Sequence, residues 1–308
     1  MKVDKVLVLG GSGFIGRHFV ARLVGREIKV TVPSRRRERA KHLIVLPTVD
    51  VIQADICDQA ALERVMRDHD AVVNLIGILH GDFKRAHVDL PLALVQACRA
   101  TGVKRLIHMS ALGAAVDGPS EYQRTKGRGE QAVCEAKDLD VTVFRPSVVF
   151  GPEDRFLNRF ASMARFMPVI AVPCPQAVFQ PLYVGDLAQA MVAALDDEAS
   201  HAQLYELGGP RQYTLIELVR LVCALTGRRR VAIGLPDWAS RLQAAVLERL
   251  PGRLMTRDNY RSMSVPNVTR AAFPFGIAPQ PIEAVAPAYL LPWGPRERYP
   301  EMRWRARR

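Results

Sequence analysis

The sequence predicts an α/β fold: a doubly wound parallel sheet with a small C-terminal lobe. Three observations carry this. Short apolar strands alternate with helix-period segments through the first half of the chain. A glycine cluster joins the first strand to the first helix. After Pro146 the alternation stops, and a proline-punctuated remainder follows. Strands separated by helices need right-handed crossovers, which place them in one parallel sheet covered on both faces. Strands rich in Val and Ile suit burial from both sides.

In order, strands are expected at residues 5–9, 29–33, 50–54, 71–75, 105–110 and 141–145. Helices are expected between them at 15–25, 59–68, 85–101 and 122–136. Residues 1–150 thus form a nucleotide-binding core. Residues 151–308 form a mixed region, with late core elements and the lobe. There, residues 169–172 read as a short strand and 184–195 as a helix. Thr214 and Glu217 have capping-box spacing for the next helix, which runs to about 226. Residues 236–250 read as another helix, and 251–308 show many prolines and little periodicity.

The stretch VLVLGGSGFIGR, residues 6–17, carries the strongest chemical signal. Gly10, Gly13 and Gly16 fall in a G-x-x-G-x-x-G spacing between an apolar run and an apolar helix face. In a Rossmann-type unit the first glycine makes the turn and the second admits a pyrophosphate to the backbone. The third lets helix pack on strand. The helix start then offers N–H groups and a favourable dipole to phosphate. Gly10, Gly11, Ser12, Gly13, Phe14, Ile15 and Gly16 are therefore candidate cofactor contacts; a glycine turn without a ligand is the alternative.

The end of the second strand bears on cofactor choice. A carboxylate there would hold the ribose hydroxyls of NAD(H). This chain has VTVPSRRRERAK, with Ser34, Arg35 and Arg36 at that place. Arginine grips a 2′-phosphate that a carboxylate would repel, which favours NADP(H), with NAD(H) as the alternative. Asp55 and Ile56 follow the third strand, where adenine is expected. Asn74, Leu75 and Gly77 end the fourth, where glycine permits close approach to a cofactor.

Tyr122 and Lys126 form Y-x-x-x-K, and i, i+4 positions share a helix face. A lysine ammonium beside a phenol lowers its pKa and can hold a ribose, so the pair suits proton transfer beside a hydride site. Ser110, at the end of the fifth strand, is the third catalytic candidate; a turn serine is its plain reading.

Bulk properties set outer bounds. The formal charge is +12, much of it in arginine clusters at 35–39, 228–230 and 296–308. No recognition-helix or zinc-finger pattern accompanies them, so nucleic acid is not the expected partner. The five cysteines are scattered and odd in number, and the seven histidines form no close metal pattern. Reduced thiols and no metal are expected. No run of 18 apolar residues exists, so no transmembrane segment is expected. The N-terminus enters a strand directly, which reads as a mature cytoplasmic chain. Trp293 and Trp304 interleave with arginines and suggest contact with a partner or a membrane surface.

These motifs together resemble the extended and atypical short-chain dehydrogenase/reductase superfamily. More narrowly they resemble the bacterial relatives of the NDUFA9 subunit of respiratory complex I. The segments that carry the resemblance include VLVLGGSGFIGRHFV, VKRLIHMSALGA, YQRTKGRGE, FRPSVVFGPEDRFLNRFA and LMTRDNYRSMSVPNV. The resemblance covers nearly the whole chain, and GPEDRFLNRFA and TRDNYRSM are its most specific parts. It implies an NAD(P)-binding domain with a small lobe. The mitochondrial member holds NADPH near the quinone end of the complex, outside the electron path. By the same resemblance, Pro146 and Val149 join Gly10, Gly13, Gly16, Arg35, Asp55, Ser110, Tyr122 and Lys126 at the cofactor. Implied partners are a dinucleotide and a respiratory complex or the cytoplasmic face of the inner membrane. The chain departs from the pattern at one point. Leu112 stands where active members carry a catalytic Ser or Thr, and Tyr122 follows Ser110 by only 12 residues. The expected function is an NADP(H)-binding accessory or redox-sensing protein of quinone respiration. A reductase of a quinone-like or isoprenoid intermediate is the alternative.

Overall fold

A computed structural model describes residues 3–227, 230–249 and 255–290. The first half runs β1 (Lys5–Leu9), α1 (Phe14–Val24), β2 (Lys29–Ser34), α2 (Lys41–Ile44), β3 (Val49–Gln53), α3 (Gln59–Met66) and β4 (Ala71–Asn74). It continues with α4 (Leu90–Thr101), β5 (Arg105–Met109), α5 (Glu121–Cys134), β6 (Asp140–Pro146) and β7 (Val149–Phe150). Next come α6 (Leu157–Phe166), β8 (Val169–Val172), β9 (Val178–Phe179), β10 (Leu182–Tyr183), α7 (Val184–Asp196) and β11 (Gln203–Leu207). The remainder is β12 (Tyr213–Thr214), α8 (Leu215–Leu225), β13 (Val231–Gly234), α9 (Asp237–Leu247), α10 (Arg257–Ser262), α11 (Ile282–Val285) and α12 (Pro287–Leu290).

Seven strands form one parallel sheet in the order β11-β6-β5-β4-β1-β2-β3. This is the doubly wound arrangement expected from the alternation. The apolar runs have a simple cause. Val6 and Val8 enter the core shared with α1 and α7, while Leu7 and Leu9 enter the core shared with α3, α4 and α5. Both faces of β1 are therefore buried, and each fully buried Leu or Phe contributes roughly 1.5–3 kcal/mol. Strand order reverses between β4 and β2 around β1, so a crevice opens at the carboxyl end of β1.

Residues 203–207 were not expected to be a strand. They form β11, which extends the sheet beside β6. Gln203 and Leu204 are exposed and only Leu207 is buried, so this edge strand lacks the apolar run that marks its neighbours. Arg105 helps hold that margin. Its guanidinium is buried and donates to the carbonyls of Asp140 and Ala194 and to Ser200 Oγ. Burial brings its pKa down to about 10.

The lobe has two small cores. α6, β8, β13 and α8 enclose Ala164, Ile170, Val172, Leu215 and Val219. α8, α11 and α12 meet Phe150 and Leu157 in the other. Thr214 and Glu217 do form a capping box at the start of α8. A second box, Thr256 with Asn259, opens α10 inside the stretch expected to lack periodicity. Trp293, Trp304 and the arginines of 296–308 lie outside the described residues, as do Arg228 and Arg229. Among the described residues no helix is long and apolar enough to cross a membrane.

Candidate functional site

The candidate residues converge because parallel strands deliver their carboxyl ends to one edge. β1 delivers Gly10, β2 Ser34 to Arg36, β3 Asp55 and Ile56, β4 Asn74 to Gly77, β5 Ser110, and β6 Pro146.

At β1 the turn is built from backbone alone. Gly10 has φ of +80°, a conformation that disfavours a side chain, and a Cβ there would press on the Leu75 backbone at 3.1 Å. A Cβ on Gly13 would meet only the Gly10 carbonyl oxygen, at 3.1 Å, and otherwise project into open space. A Cβ on Gly16 would overlap that same oxygen and lie 2.6 Å from Gly11. The third glycine therefore packs on the turn itself, and not on the strand as expected. α1 begins at Gly13 with no side-chain cap and no acidic residue in its first turn. Its N–H groups and dipole suit an anion, the fit a pyrophosphate needs. Phe14 lies against Gly151, and Ile15 packs on the sheet core.

Arg35 and Arg36 are exposed just beyond β2, and Ser34 Oγ holds the bend by donating to the Arg36 carbonyl at 2.9 Å. Asp55 is exposed and accepts the Cys57 N–H at 3.1 Å, while Ile56 packs partly into the core. Asp58 caps α3. Asn74 is buried and committed internally. Its Oδ1 accepts the Ile76 N–H at 3.1 Å, so its amide nitrogen donates to His108 Nδ1 at 3.2 Å. Leu75 bonds back to Leu9.

α5 brings Tyr122 and Lys126 to the end of β5. Lys126 is buried and its Nζ donates to the Met109 carbonyl at 2.9 Å, beside Gly77. Burial lowers its pKa to about 8, against the pull of Glu130 one turn on. Tyr122 packs edge-on against Phe83 and His87, at centroid distances of 6.1 and 5.5 Å. Burial pushes its hydroxyl up to about 12. This corrects the expectation that the lysine lowers the phenol: desolvation dominates, and the ammonium is turned to a carbonyl. His87 and His108 are both driven down to about 3, by burial first and the Lys126 charge second. Both are neutral near pH 7. His87 accepts the Ile78 N–H at Nε2 and bonds Thr125 Oγ1 through Nδ1.

Among the described residues, the buried Ser110 Oγ and His108 Nε2 have no hydrogen-bond partner. An unsatisfied buried donor costs about 1–3 kcal/mol, so such atoms mark where a ligand group or water is accommodated. Leu112, two residues past Ser110, is buried. Its N–H bonds the Pro146 carbonyl and its own carbonyl accepts from Asn267 Nδ2 at 3.2 Å. Val149 is half-buried on β7 and packs on the sheet core.

Sequence reasoning missed the residues that tie the lobe to this edge. Asp258 of α10 accepts the N–H groups of Glu121 and Tyr122 at 2.7 and 3.1 Å, so the lobe caps the helix that carries Tyr122. Ser262 adds a bond to Ser120, the N-cap of α5. Asn267 accepts from Ser147 and from the Val148 N–H while holding Leu112. The signal was present, because Asp258 and Asn267 lie in the TRDNYRSMSVPNV segment. Likewise Asp154 of GPED caps α6 by accepting from Leu157 and Asn158. A cavity of about 450 Å³ opens in the lobe between Cys174–Val178, the start of α9, and Tyr260 and Met263 of the α10 region.

A model of the NAD dependent epimerase/dehydratase family matches residues 6–208. The chain is 30% identical over 290 residues to NADH dehydrogenase (ubiquinone) 1 alpha subcomplex subunit 9, mitochondrial, of Mus musculus, covering 90% of this chain and 77% of that protein. Against the subunit of the same name in Arabidopsis thaliana, identity is 38% over 229 residues, covering 70% of this chain and 56% of that one. A ceramide reductase of Caulobacter vibrioides is 29% identical over 240 residues, covering 75% and 74%. Among solved structures, a nucleoside-diphosphate-sugar epimerase of Staphylococcus aureus matches with a TM-score of 0.74 at 18% identity, covering 91% of this chain and 98% of that one. A dTDP-glucose 4,6-dehydratase of Bacillus anthracis, in complex with NAD, matches with a TM-score of 0.66 at 20% identity, covering 75% and 85%. At these identities the structures bear on the fold alone. With its seven-stranded parallel sheet, its glycine turn and these relatives, the chain belongs to the NAD dependent epimerase/dehydratase family of extended short-chain dehydrogenase/reductases, as a relative of the mitochondrial subunit 9 proteins.

Proposed function

We propose that this chain is an NADP(H)-binding accessory or redox-sensing module of quinone-linked respiration, seated beside a respiratory assembly on the cytoplasmic side of the inner membrane. The observation that carries the reading is Leu112. A buried aliphatic side chain, held through both backbone groups, occupies the place where a turnover enzyme of this family needs a hydroxyl. The residues that would bind the cofactor are present by contrast. The uncapped start of α1 would take the pyrophosphate, Arg35 and Arg36 a 2′-phosphate, and Lys126 the nicotinamide ribose. A bound nicotinamide supplies hydride chemistry, and the chain's own part is to hold it. Titration of NADPH and NADH tests the preference: NADPH binds more tightly, and equal affinities would sink it. Assays with ketones, aldehydes and alcohols should give no turnover above background.

A second reading is a reductase of a quinone-like or isoprenoid compound. The Ser110 hydroxyl, unpartnered among the described residues and one residue past the Met109 carbonyl that Lys126 holds, favours it, as does similarity to a ceramide reductase. Tyr122 would hold the proton, with Lys126 orienting the ribose. Sustained NADPH oxidation on a quinone or polyprenyl carbonyl compound, abolished by Tyr122→Phe, would promote this reading over the first.

A further inference from the structure

We propose that the C-terminal lobe carries a surface that seats on an anionic lipid bilayer, formed by α9 and the outer face of the β8–β13 pair. It rests on the membrane-side seat proposed above and stands or falls separately from the cofactor reading.

α9 is built inside out. Ser240 and Ala244 point inward and are fully buried, whereas Trp238, Leu242 and Val246 are exposed, Trp238 by 70%. The three are four residues apart in turn, so they line one side of the helix away from its buried face. A helix serving only its own domain buries its large apolar residues. The neighbouring strand pair does the same. Val231 is in register with Val169, and both are exposed together with Ile233, while Ile170 and Val172 fill the lobe core. Phe166 and Met167, at the end of α6, add two more exposed apolar side chains. Of the fifteen large hydrophobic residues exposed among the described residues, eight belong to these adjoining elements. Clustering on that scale marks an interaction surface.

Charge selects the occupant. Residues 155–172 and 230–249 hold six arginines and two carboxylates, Asp237 and Glu248. Both carboxylates are paired, with Arg241 and Arg257. The surface is therefore aliphatic and aromatic within a strongly cationic setting. A second copy would bring the same arginines against these and be repelled. Residues 291–308, with six arginines and two glutamates, carry the same sign. Nucleic acid would supply the negative charge but has no use for Leu, Val and Ile side chains. An anionic bilayer supplies both, with headgroups for the arginines and acyl chains for Leu242, Val246, Val231 and Ile233. The amphipathic Trp238 ring suits the boundary between them.

Flotation of the full chain with vesicles tests this. The chain floats with phosphatidylcholine vesicles containing phosphatidylglycerol, and added salt weakens the association. It stays behind with phosphatidylcholine alone. Trp238→Ser with Leu242→Glu lowers the partition by about tenfold or more. Both side chains are exposed, so folding is kept, and NADPH titration of the variant checks this. Trp238 can be made the sole tryptophan by Trp293→Phe and Trp304→Phe. Its emission then shifts to the blue on adding anionic vesicles. Equal flotation of variant and unmodified chain overturns the proposal. So does a self-association, measured by ultracentrifugation, that Leu242→Glu abolishes while the chain ignores vesicles.

Discussion

In the sheet, Val6 and Val8 lie under one helical layer and Leu7 and Leu9 under the other, all fully buried. In α9, two small residues lie inside and three large apolar ones outside. The sheet domain closes its cores on both faces and leaves its openings at the carboxyl edge, where Ser110 Oγ and His108 Nε2 lack partners among the described residues. The lobe closes small cores and leaves apolar surface uncovered. A polar opening with glycine amides calls for a small anionic ligand, whereas an apolar face calls for an extended partner. The two regions are joined by polar contacts, Asp258 and Ser262 on the start of α5 and Asn267 on the loop around Leu112, and by Phe273, Phe275 and Ile277, which pack against the sheet core.

The largest expected effect separates two glycines of one turn. Gly16→Val forces a side chain into the Gly10 carbonyl and the Gly11 backbone, neither of which can yield. A loss of roughly 3 kcal/mol or more in denaturant unfolding is expected. Gly13→Val meets only the Gly10 carbonyl oxygen, at 3.1 Å, so it should abolish NADPH binding in calorimetry while lowering the unfolding midpoint far less than Gly16→Val. Unchanged NADPH affinity would refute the phosphate-loop assignment.

Lys126→Met comes next and should move two quantities in opposite directions. Losing a charged donor to the ribose weakens NADPH by about 1.5–3 kcal/mol. Without cofactor, the change relieves a buried charge, so the apo protein becomes more stable. The pH dependence has a definite sign. The folded pKa is about 8 and the ordinary value 10.5, so between them the unfolded state binds more protons and apo stability rises with pH as far as this group contributes. The cost is fully present below about 8. NADPH binding favours the ammonium, so affinity is level below about pH 8 and falls above it. Lys126→Met should remove that bend, and a bend that persists would exclude Lys126 as its source.

Asp258→Ala probes the join between the regions. It frees two N–H groups at the start of α5 and should cost about 1–2 kcal/mol in unfolding. NADPH affinity should fall with it, while vesicle flotation is unaffected; a silent variant would mean that the lobe does not position Tyr122. Smallest is Tyr122→Phe, which should alter NADPH affinity by at most about 0.5–1.5 kcal/mol. Arg35→Asp sharpens the cofactor side instead, since it should narrow or reverse the preference for NADPH over NADH in paired titrations.

Much of this molecule is legible in the order of its residues. The succession of the first six sheet strands, the glycine turn, the strand at 169–172, the helix from Val184 and the Thr214–Glu217 cap all follow from local rules. Those rules concern backbone conformation, hydrogen-bond groups at helix ends, and the period of apolar residues, and each acts within a few neighbours. Residues at the carboxyl ends of parallel strands must also meet at one edge, so the candidate site can be assembled from topology alone.

Other features depend on distant segments coming together. β11 is half polar and is recognisable as a strand only because β6 offers it an edge. Asp258 caps a helix that begins 137 residues earlier, and its isolated sequence carries no sign of that. The Tyr122–Lys126 spacing announces a shared helix face, but the direction of the tyrosine shift is decided by Phe83, His87 and the Met109 carbonyl. The exposed stripe of α9 is as apolar in sequence as a buried one, and only packing shows which side the lobe has covered. Conformation and capping are short-range properties written in adjacent residues. Desolvation, orphaned polar atoms and uncovered surface are sums over everything nearby in space, and they exist only once the chain has folded.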